Sequence, residues 1–175
     1  MDRINALREQ LPDAARDIKI NLQNVLSQTE LSKPQAWGTA LACAYATKDK
    51  QLIAAVLEDA KAAGVEEGTL DDAKAAAILM GMNNVYYRFR HIVGKEEYSQ
   101  LPARLRMLRT NQTAGSKQDF ELFCMAVSAI GNCQSCVQSH EHVVIEGGLS
   151  VAQVHDSVRI AATINAAAVA LATLP

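Results

Sequence analysis

Residues 119–146 constrain the fold of this chain more than any other stretch. Apolar side chains in its first half recur every three or four positions, as they do on the buried face of a helix. Gly131 and Asn132 then break the apolar run, and a second helical pattern follows through Glu146. We therefore predict two consecutive helices joined by a short turn, with Asn132 as the N-cap of the second helix and Cys133 as its first residue.

Two cysteines lie at the start of the second predicted helix, in the spacing C-x-x-C. The partial positive charge of a helix N-terminus favours the thiolate, which is the nucleophilic form of cysteine. His140 follows Cys136 by four residues and shares its helix face, so the imidazole is placed to take the thiol proton. Glu121 lies in the preceding helix, and its carboxylate would orient the imidazole if the two helices fold back on each other. Cys133, Cys136, His140 and Glu121 together predict a redox-active dithiol site.

Three other uses of the C-x-x-C pair stay open at this point. The pair could be half of a zinc site completed by His140 and His142, although His142 lies about 200° further around the helix. A structural disulfide would require an oxidising compartment. The two thiols could also be buried and unreactive, which is the interpretation we give to Cys43 and Cys124, because a free buried cysteine behaves as a small hydrophobe.

The pattern E-x11-C-x-x-C-x3-H resembles the active-site signature of the carboxymuconolactone decarboxylase-like superfamily, in its alkylhydroperoxidase branch. A stretch in the first half, Met80 to Arg88 (MGMNNVYYR), is similar to a segment of the same branch. LPDAARDIKINL near the start and FELFCMAVSAI before the cysteines are similar as well, so the resemblance covers most of the chain. It implies an all-α fold, a single helical domain over residues 1–175, and assembly as a homotrimer.

The resemblance also implies a function and a role for each site residue. The chain would be a lipoyl-dependent peroxidase, an antioxidant enzyme in which Cys136 attacks the hydroperoxide and becomes a sulfenic acid. Cys133 would donate a proton to the leaving group and then resolve the sulfenic acid as a disulfide, while His140 acts as general base and Glu121 orients it. A dihydrolipoyl group on a carrier protein would reduce the disulfide, a peroxiredoxin would be the partner, and no bound cofactor or metal is needed.

The resemblance leaves several alternatives in place. Helix position alone would also allow Cys133 to be the nucleophile. The best-known form of the family has a histidine immediately before the second cysteine, where this chain has Ser135. The same residues suit a redox adaptor, which would pass electrons from a lipoyl carrier to a peroxiredoxin with little peroxidase activity of its own. A decarboxylase on the same fold is disfavoured, because that reaction has no use for a C-x-x-C couple.

Composition limits the class of protein. Of the 175 residues, 49% are apolar and 21% charged, and the net charge is −2. These values fit one alanine-rich helical domain and do not indicate a nucleic-acid binder. The first 20 residues carry eight charged side chains, so we expect no signal peptide, and the apolar run Ile160–Leu174 is shorter than the ~20 residues of a membrane span. Four cysteines without a regular framework favour a reducing compartment, and we predict a cytoplasmic protein.

Helical spacing of apolar residues extends through most of the remaining chain. The predicted helices are 2–28 with a break near Pro12, 33–47 with Ser32 as cap, 51–63 ended by Gly64, one from Thr69 towards Tyr86, and 151–173. The last of them is apolar on nearly all sides, so we expect it to be buried in the core or between subunits.

The two halves of the chain repeat the same order of predicted elements. Asn83 matches Asn165 and Ala44 matches Ala126 at an offset of 82 residues, and Gly64-Val65 matches Gly148-Leu149 at an offset of 84. This predicts an internal duplication, with a silent repeat at about 33–90 and an active-site repeat at about 117–174. The silent repeat has no redox residues, since the places of Cys133, Cys136 and His140 are taken by Gln51, Ala54 and Glu58.

Residues 86–117 are predicted to be irregular, and they carry seven basic side chains against two acidic ones. The excess would form a solvated face or intersubunit ion pairs, or a docking surface for an acidic partner such as a lipoyl-bearing domain. His91 and His155 lie outside the C-x-x-C motif, and we interpret both as surface or packed residues.

Overall fold

The computed structural model describes residues 1–174, which form an all-α domain as predicted. Within that range there are nine α-helices, two short 3-10 turns and no β-strand. The helices are α1 (Asp2–Gln10), α2 (Arg16–Asn24), α3 (Lys33–Thr47), α4 (Lys50–Ala62), α5 (Glu67–Val93), α6 (Glu96–Gln100), α7 (Lys117–Ile130), α8 (Gln134–Glu146) and α9 (Val151–Leu171).

Helices α3 and α7 form the centre of the domain. Ten consecutive residues of α3, Gln35–Ala44, and nine of α7, Phe120–Ser128, are buried. The two helices pack on each other, and each also contacts α5 and α9. Their close approach depends on Gly38, because a Cβ atom at that position would overlap the ring of Phe123. Core packing therefore fixes the position of α7, the helix that leads into the turn next to the cysteines.

Helix ends follow the sequence signals that predicted them. The Ser32 hydroxyl accepts a hydrogen bond from the Gln35 N–H, and the Gln35 side chain accepts one from the Ser32 N–H. Gly64 follows α4 with a φ of 78°, and Gly148 follows α8 in the same way with a φ of 98°. The orders α3-α4-α5 and α7-α8-α9 thus correspond, while the internal duplication itself stays a prediction.

Helix α5 differs from its prediction at both ends. It begins at Glu67 rather than Thr69, and it continues to Val93 instead of ending near Tyr86. No glycine or proline occurs between Tyr86 and Gly94, which follows the helix with a φ of 62°. The segment predicted to be irregular therefore begins with the last two turns of α5, and it also contains α6.

The buried carboxylate of Asp72 ties the chain between α6 and α7 to α5. It accepts hydrogen bonds from the Ala114 and Gly115 N–H groups at 2.9 and 2.7 Å and from Arg109 at 2.6 Å. Arg109 also pairs with Asp71 at 2.8 Å. Arg109, one of the seven basic residues in 86–117, therefore forms ion pairs within the chain and helps to fix the path of the backbone into α7.

Helix α9 is only partly covered by the rest of the domain. Ile160 and Ile164 lie in the core, whereas Val158 and Val169 are exposed. Burial on nearly all sides is therefore not reached within one chain. None of the helices in residues 1–174 is both long and apolar enough to cross a bilayer.

Asp156 in α9 is expected to make the stability of the fold sensitive to acid. Its carboxylate accepts hydrogen bonds from the Glu30 N–H at 2.7 Å, the Thr29 hydroxyl at 3.0 Å and Arg159 at 2.7 Å. Burial alone would raise the pKa of this carboxyl, but the hydrogen bonds outweigh it and hold the pKa below its ordinary value. The stabilisation is therefore full above the unfolded-state pKa of about 3.9, and it is lost as the pH falls through the lower folded-state pKa.

We expect Asp156→Asn to lower the free energy of unfolding at pH 7 by about 1.5–3 kcal/mol, the range for hydrogen bonds to a charged group. Between about pH 5 and pH 3, urea unfolding should show a smaller loss of stability in the variant than in the wild type. Asp17→Asn, at an exposed position on α2, is the matched control. Equal acid sensitivity of Asp156→Asn and wild type would contradict this assignment.

Candidate redox site

The turn between α7 and α8 places the C-x-x-C pair at a helix start. Asn132 has a left-handed backbone with a φ of 52°. Cys133 is the N-cap residue of α8, and Gln134 is the first helical residue. The prediction that Asn132 caps this helix is therefore wrong by one residue. Asparagine tolerates the left-handed conformation that reverses the chain, so the cap position falls on Cys133.

Cys133 and Cys136 are joined by a disulfide bond, with their Cα atoms 5.3 Å apart. Cys133 is fully buried, whereas Cys136 is 6% exposed. The Ser135 hydroxyl lies 3.7 Å from Cys133 Sγ, within hydrogen-bonding range of a sulfur atom. The disulfide is therefore open to solvent only on the Cys136 side.

Glu121 in α7 and His140 in α8 form a hydrogen-bonded pair, and His140 lies four residues after Cys136. Glu121 Oε2 lies 2.6 Å from His140 Nδ1, and the two side chains are 11% and 16% exposed. The predicted approach of the carboxylate to the imidazole is confirmed. When Nδ1 donates its hydrogen to the carboxylate, Nε2 is left as a proton acceptor, one helical turn after Cys136. The roles of these residues in catalysis stay predictions.

The remaining cysteines and the second nominal zinc histidine lie apart from the site. Cys43 and Cys124 are free thiols in the core, as predicted, and burial raises the pKa of each. His142 lies 4.0 Å from Glu146 on the exposed side of α8. Within residues 1–174, no three Cys, His, Asp or Glu side chains converge in the way a metal site requires.

Three side chains of helix α5 contact the turn and the helix ends beside it, which the sequence did not predict. Asn84 Oδ1 accepts a hydrogen bond from the Ser128 hydroxyl at 2.9 Å, and Arg88 donates to the Gly131 carbonyl at 2.7 Å. His91 Nε2 lies 3.1 Å from the side-chain oxygen of Gln134. The sequence does show that Asn84, Arg88 and His91 are spaced along one helix face. That spacing does not predict which element the face contacts. His155 is exposed, as predicted for it.

A groove of about 540 Å³ borders the site between α5, α6 and the start of α8. Ser135 forms one wall, and Arg90, His91 and Lys95 bring basic groups to the others. Arg90 is held in place by a 2.6 Å hydrogen bond to the Ser99 carbonyl. Part of the basic stretch predicted as a docking surface therefore lies beside the disulfide.

An all-α domain with a C-x-x-C disulfide at a helix start and a Glu–His pair beside it defines a class of helical redox proteins. A model of the carboxymuconolactone decarboxylase family matches residues 96–175. An alkyl hydroperoxide reductase AhpD from Anaeromyxobacter dehalogenans (strain 2CP-C) is 58% identical over 171 residues, which are 98% of this chain and 91% of that protein.

Two further proteins named alkyl hydroperoxide reductase AhpD are also similar along nearly their whole length. The one from Solibacter usitatus (strain Ellin6076) is 47% identical over 96% of this chain and 94% of its own. The one from Coxiella burnetii (strain Dugway 5J108-111) is 46% identical over 93% of both chains. This chain therefore belongs to the AhpD family, within the carboxymuconolactone decarboxylase family.

Proposed function

We propose that this protein is a thiol peroxidase that reduces alkyl hydroperoxides through the Cys133–Cys136 couple and is re-reduced by dihydrolipoyl groups. The observation that carries the proposal is the closed disulfide beside the hydrogen-bonded Glu121–His140 pair. The names of the relatives support the substrate class. The free thiols Cys43 and Cys124 fit the reducing conditions of the cytoplasm, where we place the reaction.

In the oxidative half-reaction, His140 Nε2 takes the proton of the Cys136 thiol. The thiolate attacks the terminal oxygen of the hydroperoxide, the O–O bond breaks, and Cys133 protonates the departing alkoxide. Cys136 is now a sulfenic acid, and the Cys133 thiolate attacks its sulfur. Hydroxide leaves and takes up the proton held by His140. One hydroperoxide and two thiols thus give one alcohol, one water and one disulfide.

In the reductive half-reaction, a dihydrolipoyl thiolate attacks Cys136 Sγ, because Cys136 is the less buried member of the disulfide. Cys133 leaves as a thiolate, and the Ser135 hydroxyl within 3.7 Å donates a hydrogen bond to it. The second lipoyl thiol then attacks the mixed disulfide, closes the lipoyl disulfide and releases Cys136. Two electrons and two protons pass from the lipoyl group to the protein.

The groove beside Ser135 supports a second candidate function, that of a redox adaptor. Its basic residues Arg90 and Lys95 suit an acidic protein surface, such as that of a lipoylated carrier. In this alternative the dithiol passes electrons from the carrier to a peroxiredoxin, which then reduces the peroxide. The peroxidase reaction would be slow by comparison.

The test is peroxide consumption by the purified protein with dihydrolipoamide as reductant and tert-butyl hydroperoxide as substrate. The peroxidase predicts turnover that depends on both reagents and needs no other protein. A disulfide that dihydrolipoamide reduces, without peroxide turnover, would favour the adaptor. Failure of dihydrolipoamide to reduce the disulfide would contradict both candidates.

We also propose that the chain assembles as a homotrimer. An exposed apolar stripe along α5 supports this, since Ile78, Val85 and Ile92 are 69%, 60% and 73% exposed. Phe89 lies in the same stripe and is 47% exposed. A soluble protein usually covers such a surface, and continuity along one helix suits a second copy of the chain.

Ile92→Glu is expected to shift the assembly towards single chains, because it places a charge in the apolar contact. Multi-angle light scattering would give the mass of three chains for the wild type and of one chain for the variant. Val151→Glu, an exposed valine changed in the same way on α9, should keep the wild-type mass. A monomeric wild type at micromolar concentration would contradict the proposal.

A further inference from the structure

Asn84, Arg88 and His91 lie on one face of α5, because they are spaced i, i+4 and i+7. We call these three residues the α5 clamp. Their partners lie 43 or 44 positions later and follow the chain through the redox turn: Val127 and Ser128 at the end of α7, Gly131 in the turn, and Gln134 at the start of α8. The clamp therefore spans the whole connection that leads to Cys133.

The turn fits closely against the buried end of the clamp. Asn84 is 6% exposed, and a Cβ atom at Gly131 would overlap its side-chain amide. Arg88 donates to the Gly131 carbonyl at 2.7 Å, two residues before Cys133. A shift of the turn away from α5 would break this charged hydrogen bond. Arg88 is therefore the clamp residue with the most direct hold on the first cysteine.

Helix α9, which occupies the place of α5 in the predicted active-site repeat, has no equivalent of the clamp. At the offset of 82 residues, Asn84 and Arg88 correspond to Ala166 and Ala170 in α9, and His91 corresponds to Thr173, which follows that helix. Ala166 and Ala170 line a groove beside the N-terminal segment that contains Pro12. Alanine has no side-chain donor for a carbonyl, so α9 cannot repeat the Asn84 and Arg88 contacts, which reach the turn that leads to the cysteines. This difference links the clamp to the dithiol.

We propose that the α5 clamp positions the dithiol, with Arg88 as its principal positioning residue; the inference rests on the redox function proposed for this site. Disulfide formation removes two protons and two electrons from Cys133 and Cys136, and a dihydrolipoyl group returns them as its own disulfide closes. Two thiols held at a fixed separation have a high effective concentration, which favours the bond between them. The clamp therefore shifts the equilibrium towards the disulfide.

The experiment equilibrates the full-length protein with defined ratios of dihydrolipoamide and lipoamide, in the absence of peroxide. Alkylation and intact mass then give the fraction in the dithiol state. Arg88→Met is expected to shift the equilibrium constant about tenfold towards the dithiol, because a charged hydrogen bond that holds the turn is lost. Arg88→Lys keeps a charged donor, so its equilibrium constant should lie close to that of the wild type. Lys74→Met, an exposed position on α5 away from the turn, should stay within about twofold of the wild type.

A wild-type equilibrium in Arg88→Met, or an equal shift in Lys74→Met, would overturn the proposal. If Arg88→Met does not fold, His91→Ala decides in its place, since His91 is exposed at the end of the clamp. A shift towards the dithiol in His91→Ala supports the clamp, and a wild-type value overturns it. The assay contains no peroxide, so a wild type that exchanges with lipoamide but has no peroxidase activity would contradict the proposed peroxidase alone.

Discussion

Replacing Cys136 by serine is expected to reduce peroxide turnover to the background rate. The variant lacks the thiolate that attacks the hydroperoxide, and it lacks the sulfur that the lipoyl thiol attacks. Loss of a nucleophile of this kind lowers kcat by at least about 10³-fold. The measurement is the steady-state rate with dihydrolipoamide and tert-butyl hydroperoxide. Cys43 is a buried thiol that is not part of the couple. The control Cys43→Ala should therefore retain turnover under conditions in which it is as fully folded as the wild type.

Cys133→Ser distinguishes the two possible assignments of the nucleophile. This variant keeps Cys136, so it should consume one equivalent of peroxide and then stop with a sulfenic acid that cannot be resolved. Dimedone labelling followed by peptide mass analysis should find the adduct on Cys136. If Cys133 were the nucleophile, the adduct would instead form on Cys133 in the Cys136→Ser variant. Cys133 is fully buried and Cys136 is 6% exposed, which favours the first outcome.

Glu121→Gln is expected to slow the reaction of Cys136 with peroxide by about 10²–10⁴-fold. The carboxylate lies 2.6 Å from His140 Nδ1, where it fixes the tautomer and stabilises the imidazolium formed when Nε2 takes the thiol proton. An amide has nearly the same shape but no charge, and it can present a donor to the ring nitrogen. Single-turnover stopped-flow measurements would report the rate constant free of the reductive half-reaction.

The matched control is Glu141→Gln, which changes an exposed carboxylate next to His140 in the sequence and should leave the rate unchanged. His140→Gln should be as slow as Glu121→Gln. The double variant should be little slower than either, because the two residues act as one unit. Additive losses, or a normal rate in Glu121→Gln, would contradict the assigned coupling.

Much of the local structure could be predicted because its causes lie within one or two helical turns. The caps at Ser32 and the end of α4 at Gly64 depend on neighbouring backbone groups, and both were predicted correctly. Errors occurred where two local signals competed. Asn132 is a favourable N-cap residue and also a favourable left-handed residue, and the chain reversal required the second. Near Tyr86 no local stop signal exists, and α5 continued to Gly94.

The candidate site was predicted as a set of residue types, because C-x-x-C and a histidine four residues later share one helix face in any helical fold. The approach of Glu121 to His140 depends on how α8 folds back on α7. The sequence allowed this approach but did not determine it. The α5 clamp was not predicted. Asn84, Arg88 and His91 contact residues more than 40 positions away, and their pairing is set by the packing of α5 on α7 rather than by any local pattern.

The sequence by itself determined an all-helical chain, the positions of most helix ends and the four residues that carry the proposed redox chemistry. Each depends on side-chain spacing or on hydrogen bonds within a turn, so it is encoded locally. The tertiary structure alone decided which cysteine is the less buried, that Glu121 reaches His140, and that α5 contacts the turn. These facts follow from burial and from the meeting of distant helices, which depend on the packing of the whole core.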